Sequence, residues 1–130
     1  GNETELMAEK KKIEWIEPEH LEVIKAGMRG VVIEGGGRYY ANHSEIEIAG
    51  KTGTAQNPHG RDHGWFTSFA PYENPQIVVT VMVENGGFGS LSAAPIASLL
   101  IEKYLNGEIE RQNLYTYVKN FKPREELPDE

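Results

Sequence analysis

Four consecutive residues, Lys51-Thr52-Gly53-Thr54, put a cation, two hydroxyls and a bare stretch of backbone within one short segment. Side chains alternate along a strand, so Lys51 and Gly53 share one face and Thr52 and Thr54 the other, unless twisting at the glycines turns them. Gly53 has no side chain, so a ligand can lie against the chain there and take hydrogen bonds from main-chain N–H groups. The ammonium beside it and the two hydroxyl donors suit a carboxylate or another small anion. The lead-in, Glu45-Ile46-Glu47-Ile48, has a period of two, which buries the isoleucines and leaves the glutamates in water. A strand is therefore expected over Glu45–Gln56, with its edge built to hold an anion.

Other chemistries fit these residues less well. A phosphate-binding loop ending in Gly50-Lys51-Thr52 needs a glycine where Glu45 stands and a helix after the threonine, whereas Gly53 to Pro58 reads as a strand end and turn. His59 and His63, with His43 or Asp62 as a third ligand, have the spacing of a metal pair only within a helix. Pro58 and Gly60 oppose a helix there, so the histidines read as loop caps and no metal or cofactor is expected. Tyr40-Ala41-Asn42 stands so close before Lys51 that it reads as the turn feeding the strand.

The elements that must position this segment follow from the rest of the chain. Its 130 residues suit one domain, and a formal charge of −7 with no basic stripe excludes nucleic acid as a partner. The Lys10-Lys11-Lys12 run is short, flanked by glutamates and best read as a solvated edge. No apolar run approaches the length of a bilayer span, no signal-peptide pattern is visible, and there is no cysteine for disulfide or thiol chemistry.

Residues 1–16 read as a polar lead-in, loose over Gly1–Glu9, with a short strand or extended segment at Lys12–Ile16. Pro18 opens a helix whose core side is Leu21, Ile24, Met28 and Val31 or Val32, and Gly35-Gly36-Gly37 stops it. After the Lys51 strand, Gly64–Pro71 and Gln76–Glu84 are two further strands joined by a tight connection. The second is nearly all apolar and so is expected in the middle of the sheet. Short loops make the three an antiparallel meander. Asn85–Ser90 reads as a flexible corner. Ser92 is placed to cap a helix opened by Pro95, with Ile96, Leu99, Leu100, Tyr104 and Leu105 on its apolar side and Asn106-Gly107 at its end. Residues 107–130 are charged, with a further short helix and then a frayed tail.

Taken together, Gly27-Met28-Arg29-Gly30-Val31-Val32, Ala49–Gln56, His63-Gly64-Trp65-Phe66, Phe69-Ala70-Pro71, Val83-Glu84-Asn85-Gly86-Gly87 and Ala93-Ala94-Pro95 occur in the order seen in class B penicillin-binding proteins. Over Glu17–Leu105 the chain resembles the C-terminal part of the transpeptidase domain in the cell-elongation members of that family. The resemblance implies an α+β fold in which the three-stranded antiparallel meander is packed by an N-terminal and a C-terminal helix, a portion of the penicillin-binding protein and serine β-lactamase fold. It implies a serine D,D-transpeptidase that cross-links peptidoglycan stem peptides and is acylated by β-lactams. The parent would be anchored at the periplasmic face of the bacterial inner membrane, in a cell-wall elongation complex.

Carried onto this sequence, the resemblance makes Lys51 the residue that organises protons and stabilises developing negative charge. Thr52 and Thr54 would hold the substrate carboxylate, Gly53 would admit substrate to the strand, and the Thr54 N–H would supply half of an oxyanion hole. The family's Ser-x-x-Lys and Ser-x-Asn motifs are absent, and Gly37-Arg38-Tyr39 stands where relatives carry Gly-Thr-Ala. The polypeptide is therefore expected to be a catalytically inactive piece of a larger enzyme. Its apolar Gln76–Glu84 edge is expected to be open to a second copy as a homodimer, or covered by Lys12–Ile16. A non-catalytic peptide- or glycan-binding module, and a purely structural interaction domain, are the readings from other classes.

Overall fold

In a computed structural model that describes residues 9 and 11–123, the chain runs α1 (Pro18–Ile33), β1 (Ala49–Ala55), β2 (His63–Ala70), β3 (Ile77–Val83), α2 (Ala93–Asn106) and α3 (Gln112–Lys119). The loose lead-in expected over Gly1–Glu9 and the frayed end of the tail lie almost wholly outside the described residues.

Pro18 does open α1, with Glu19 in the first turn. Its anchoring lies in the last two turns, where Arg29 Nη1 donates to the Ile48 carbonyl at 2.8 Å and Val32 is fully buried. Ile24, expected in the core, is instead half exposed, and Leu21, Met28 and Val31 are only partly covered. A helical stripe buries only where something packs against it, and α1 meets the core near its C-terminal end.

The sheet has the order β1-β2-β3, antiparallel throughout. Lys51 pairs with Thr67 and Gly53 with Trp65, while Thr67 pairs with Thr80 and Trp65 with Met82. One face thus carries Lys51, Gly53, Trp65, Thr67, Val78, Thr80 and Met82. The other carries Thr52, Thr54, Phe66, Ser68, Ala70, Val79 and Val81 and packs against α2, with Phe66 and Ala70 fully buried. The meander is as read from the sequence, but β3 is at an edge rather than in the middle. Its residues alternate between half-buried and exposed, and Val78 is 71% exposed. Nothing among the described residues pairs with its outer side. Lys12–Ile16 forms no strand, and Trp15 is exposed, so that segment does not cover the edge.

In α2 the buried stripe is Ala93, Ala94, Ala97, Ser98, Ile101 and Glu102, with Leu99 also inside. Leu100 and Tyr104, expected on the apolar side, face out. Alanines let a helix axis approach a sheet more closely than larger side chains do, so the small residues mark the packed face. Gly107, at φ 84°, ends the helix in the left-handed conformation and donates to the Lys103 carbonyl at 3.0 Å. Ser92 precedes α2 but does not cap it: its hydroxyl donates backward to the Phe88 carbonyl at 3.0 Å. The short helix expected after residue 107 is α3. It docks by a Tyr117 hydroxyl bond to the Leu91 carbonyl at 2.9 Å and by stacking of Tyr117 on Tyr40, ring centroids 4.6 Å apart.

Candidate functional site

The four candidate residues all lie on β1, at the free edge of the sheet among the described residues, and pairing with β2 sends them to two faces. Lys51 is exposed on the Trp65 face, where its Nζ donates to the Thr52 carbonyl at 2.7 Å. Thr52 and Gly53 are half-buried, and Thr54 is exposed. The strand is shorter than expected, Ala49–Ala55 rather than Glu45–Gln56, although the alternation before it holds. Ile46 and Ile48 are buried while Glu45 and Glu47 are exposed.

Of the four, Thr54 lines a cavity among the described residues. This space of about 700 Å³ is bounded by Thr54, by Asp62 and Arg61 of the β1–β2 loop, by Phe88 and Leu91 of the β3–α2 loop, and by α3 with the residues after it. Two loops are cross-laced at its rim. Asp62 Oδ1 accepts the Asn57 N–H at 3.1 Å, and its carbonyl accepts the Gly87 N–H at 2.9 Å. Asn57 Nδ2 donates to Asn85 Oδ1 at 3.0 Å, and His63 Nδ1 accepts the Asn85 N–H at 3.0 Å. Asn85 and Gly87 both have positive φ, 54° and 68°. The glycine-rich corner read as flexible is therefore tied down, and His63 serves as its acceptor. A Cβ on Gly89 would stand 2.1 Å from the Trp65 carbonyl oxygen and 2.7 Å from that of Gly53, so this corner lies directly against the candidate strand. No cluster of three or more metal-ligating side chains occurs among the described residues.

The sequence reading missed a second polar centre behind the site. Glu102 is fully buried in α2, where Arg111 Nε donates to its Oε2 at 2.8 Å. Its Oε1 accepts the Glu110 and Arg111 N–H groups at 2.8 and 3.2 Å. Burial pushes the Glu102 carboxyl up. The Arg111 hydrogen bond and charge, with the two backbone donors, outweigh burial and leave it below the ordinary carboxylate range. Arg111 Nη2 also donates to the Ser98 carbonyl and hydroxyl at 3.1 and 2.6 Å, and Nη1 to the Asn42 carbonyl at 3.3 Å. His43 Nδ1 accepts the Glu45 and Ile46 N–H groups, and its Nε2 stands 3.8 Å from Glu102. The network ties α2 and the start of α3 to the segment that feeds β1. Glu102 lies four residues after Ser98 on the alanine stripe, a polar residue at a core position that was the available signal.

Residues 4–102 match the family model described as the penicillin binding protein transpeptidase domain. The chain is 40% identical over 111 residues to the peptidoglycan D,D-transpeptidase MrdA of Haemophilus influenzae, covering 72% of this chain and 17% of that protein. Among solved structures it is similar to Pseudomonas aeruginosa PBP2 in complex with WCK 5153, with a TM-score of 0.66 and 40% identity over 78% of this chain and 24% of that one. It is also similar to PBP2 of Helicobacter pylori in complex with MreC, with a TM-score of 0.57 and 33% identity over 68% of this chain and 17% of that one. The chain thus spans about a sixth of the length of the curated relative it matches.

Proposed function

The chain belongs to the penicillin-binding protein transpeptidase domain family, in its PBP2-type branch, and from that premise we propose that it forms one wall of the acyl-transfer cleft of a peptidoglycan D,D-transpeptidase. The observation that carries this reading is the Lys51–Thr54 run on an accessible strand edge, in a chain whose family match spans 99 residues by its bounds, 4 to 102.

Acyl transfer by a serine needs a nucleophile, a base and donors for the developing oxyanion within a few ångströms. Lys51 supplies positive charge and three N–H donors to the proton network. The Thr52 and Thr54 hydroxyls hold the carboxylate of the stem peptide or of a β-lactam, and Gly53 leaves the backbone open beside them. The Thr54 N–H is one of the two oxyanion donors. The nucleophilic serine and its partners come from a part of the enzyme outside these 130 residues, because neither Ser-x-x-Lys nor Ser-x-Asn occurs here.

The same reading sets partners and place. The whole protein acts on peptidoglycan at the periplasmic face of the inner membrane, and the PBP2–MreC complex of a relative supports assembly into a cell-wall elongation complex. The open β3 edge takes a strand from the rest of the enzyme, and in the isolated chain it takes a second copy. No cofactor is required by any of these steps.

The test is acylation by a fluorescent penicillin. The full-length protein that carries this chain gains a covalent label resolved on a denaturing gel, and the 130-residue chain alone gains none. Labelling of the isolated chain would refute the reading, as would a full-length protein that is never labelled.

A further inference from the structure

Resting on that reading of β1, we propose that His43 and Arg111 are positioning residues for the Lys51–Thr54 run, which they aim by fixing the backbone where the chain enters the strand. Among the described residues β1 pairs with β2 alone, and its other edge is the one a ligand must reach. An edge strand has half of a hydrogen-bonded ladder to hold it. The rest of its placement has to come from its ends.

The entry to β1 is held by side chains rather than by a ladder. Residues 42–48 form neither helix nor strand, yet four of their backbone groups are fixed. The Asn42 carbonyl accepts from Arg111 Nη1 at 3.3 Å, and the Ile48 carbonyl accepts from Arg29 Nη1 at 2.8 Å. Between them, His43 Nδ1 accepts the Glu45 and Ile46 N–H groups at 3.0 and 3.1 Å. Those two bonds assign the ring proton to Nε2, which faces Glu102 Oε1 at 3.8 Å. Glu102 is itself fixed by Arg111, whose guanidinium also takes the Ser98 carbonyl and hydroxyl. One planar fork therefore sets both the carboxylate that His43 faces and the carbonyl just before His43.

Neither residue stands where substrate chemistry occurs. His43 is buried, and neither it nor Arg111 belongs to β1 or lines the cavity beside Thr54. Arg111 also lies beyond residue 102, where the family match ends. Losing either residue thus changes how the strand is aimed without deleting a ligand contact.

The aim is exacting. In acylation by a penicillin the serine oxygen bonds to the lactam carbonyl carbon, the lactam C–N bond breaks, and the hydroxyl proton passes through the base to the nitrogen. The Lys51 ammonium and the Thr54 N–H contribute only within hydrogen-bond reach of that proton and of the developing oxyanion. A misplacement of about 1 Å can cost on the order of 10²-fold in rate.

The experiment follows acylation of the full-length protein by a fluorescent penicillin. The end-point label counts competent molecules, and the rate constant per labelled molecule reads the aim. His43→Ala should lower that rate constant roughly tenfold. His43→Asn, whose Oδ1 can accept the same two N–H groups, should bring it back to within about threefold of the wild type. Arg111→Lys keeps a cation for Glu102 but loses the fork, and should lower the rate constant roughly threefold. A merely stabilising role would reduce the amount of labelled protein and leave the rate per labelled molecule unchanged. An unchanged rate in Arg111→Lys, or a rate in His43→Asn no faster than in His43→Ala, would overturn the proposal and leave the transpeptidase reading standing. A wild type that never gains the label would overturn both.

Discussion

Two cations in this protein, Lys51 and Arg111, are treated in opposite ways by the fold. Arg111 spends three nitrogens on the buried Glu102 carboxylate, the Ser98 carbonyl and hydroxyl, and the Asn42 carbonyl. Lys51 is exposed, and the one acceptor described for it is the carbonyl of its own neighbour. A guanidinium is a rigid planar fork that suits a fixed set of acceptors, whereas an ammonium on a flexible stem can swing to a new one. The contrast separates a charge consumed by the fold from one left available for a ligand. It also makes unequal demands on stability.

The largest effect is expected at the buried pair. Glu102→Ala or Arg111→Ala leaves a partner charge uncompensated and should cost about 3–5 kcal/mol, read by chemical denaturation of the chain. A cost below about 1 kcal/mol would mean that the network is incidental to folding. The same pair predicts a pH response with a definite sign. Because the folded state holds Glu102 below its ordinary value of 4.5, its contribution is fully present above that value and is lost as pH falls through the lower folded pKa. Acid titration of stability should show this loss in the wild type and a flatter profile in Glu102→Gln.

Next in size is the corner that lies against β1. A methyl at Gly89 would collide with backbone oxygens of Trp65 and Gly53, which cannot move aside as a side chain would. Gly89→Ala should cost about 1–3 kcal/mol through overpacking. It should also displace the amide resonances of Gly53 and Thr54, whereas displacement confined to the corner would show that the corner does not support the strand.

At the open edge, Val78→Lys should reduce self-association of the isolated chain, seen by light scattering as a shift from dimer to monomer mass. A wild type that stays monomeric at high concentration would remove the edge as a pairing surface.

The smallest effect on stability, and the sharpest on binding, is expected at Lys51. Lys51→Ala should change unfolding free energy by no more than about 0.5 kcal/mol, as for an ordinary surface position. The full-length variant should nevertheless lose acylation by the fluorescent penicillin. If stability falls as far as it does in Arg111→Ala, the two cations are alike and the contrast fails.

Local signals carried much of this to the surface of the sequence. Pro18 fixes the start of α1, Asn106-Gly107 the end of α2, and the alternation through Ile46 and Ile48 marks the burial pattern that leads into β1. The order of motifs from Gly27 to Pro95 pointed to the family. What local signals could not give was which apolar residues find a neighbour. Ile24, Leu100 and Tyr104 have the right helical spacing and still face out, and Ser92 has the right type for a cap and bonds elsewhere. Glu102 was passed over because its partners lie eight and nine residues further on, across a helix end.

The sequence by itself determined the helices, the meander and the Lys51–Thr54 segment, because each depends on interactions within a few residues of the chain. Strand alternation already set Lys51 and Thr54 on opposite faces, whereas tertiary structure alone decided that β3 is an edge and that Thr54 adjoins a cavity walled by α3. Those facts depend on pairing register and on contacts between residues more than sixty positions apart, such as Arg61 with the Pro123 carbonyl. No periodicity in a single segment records them.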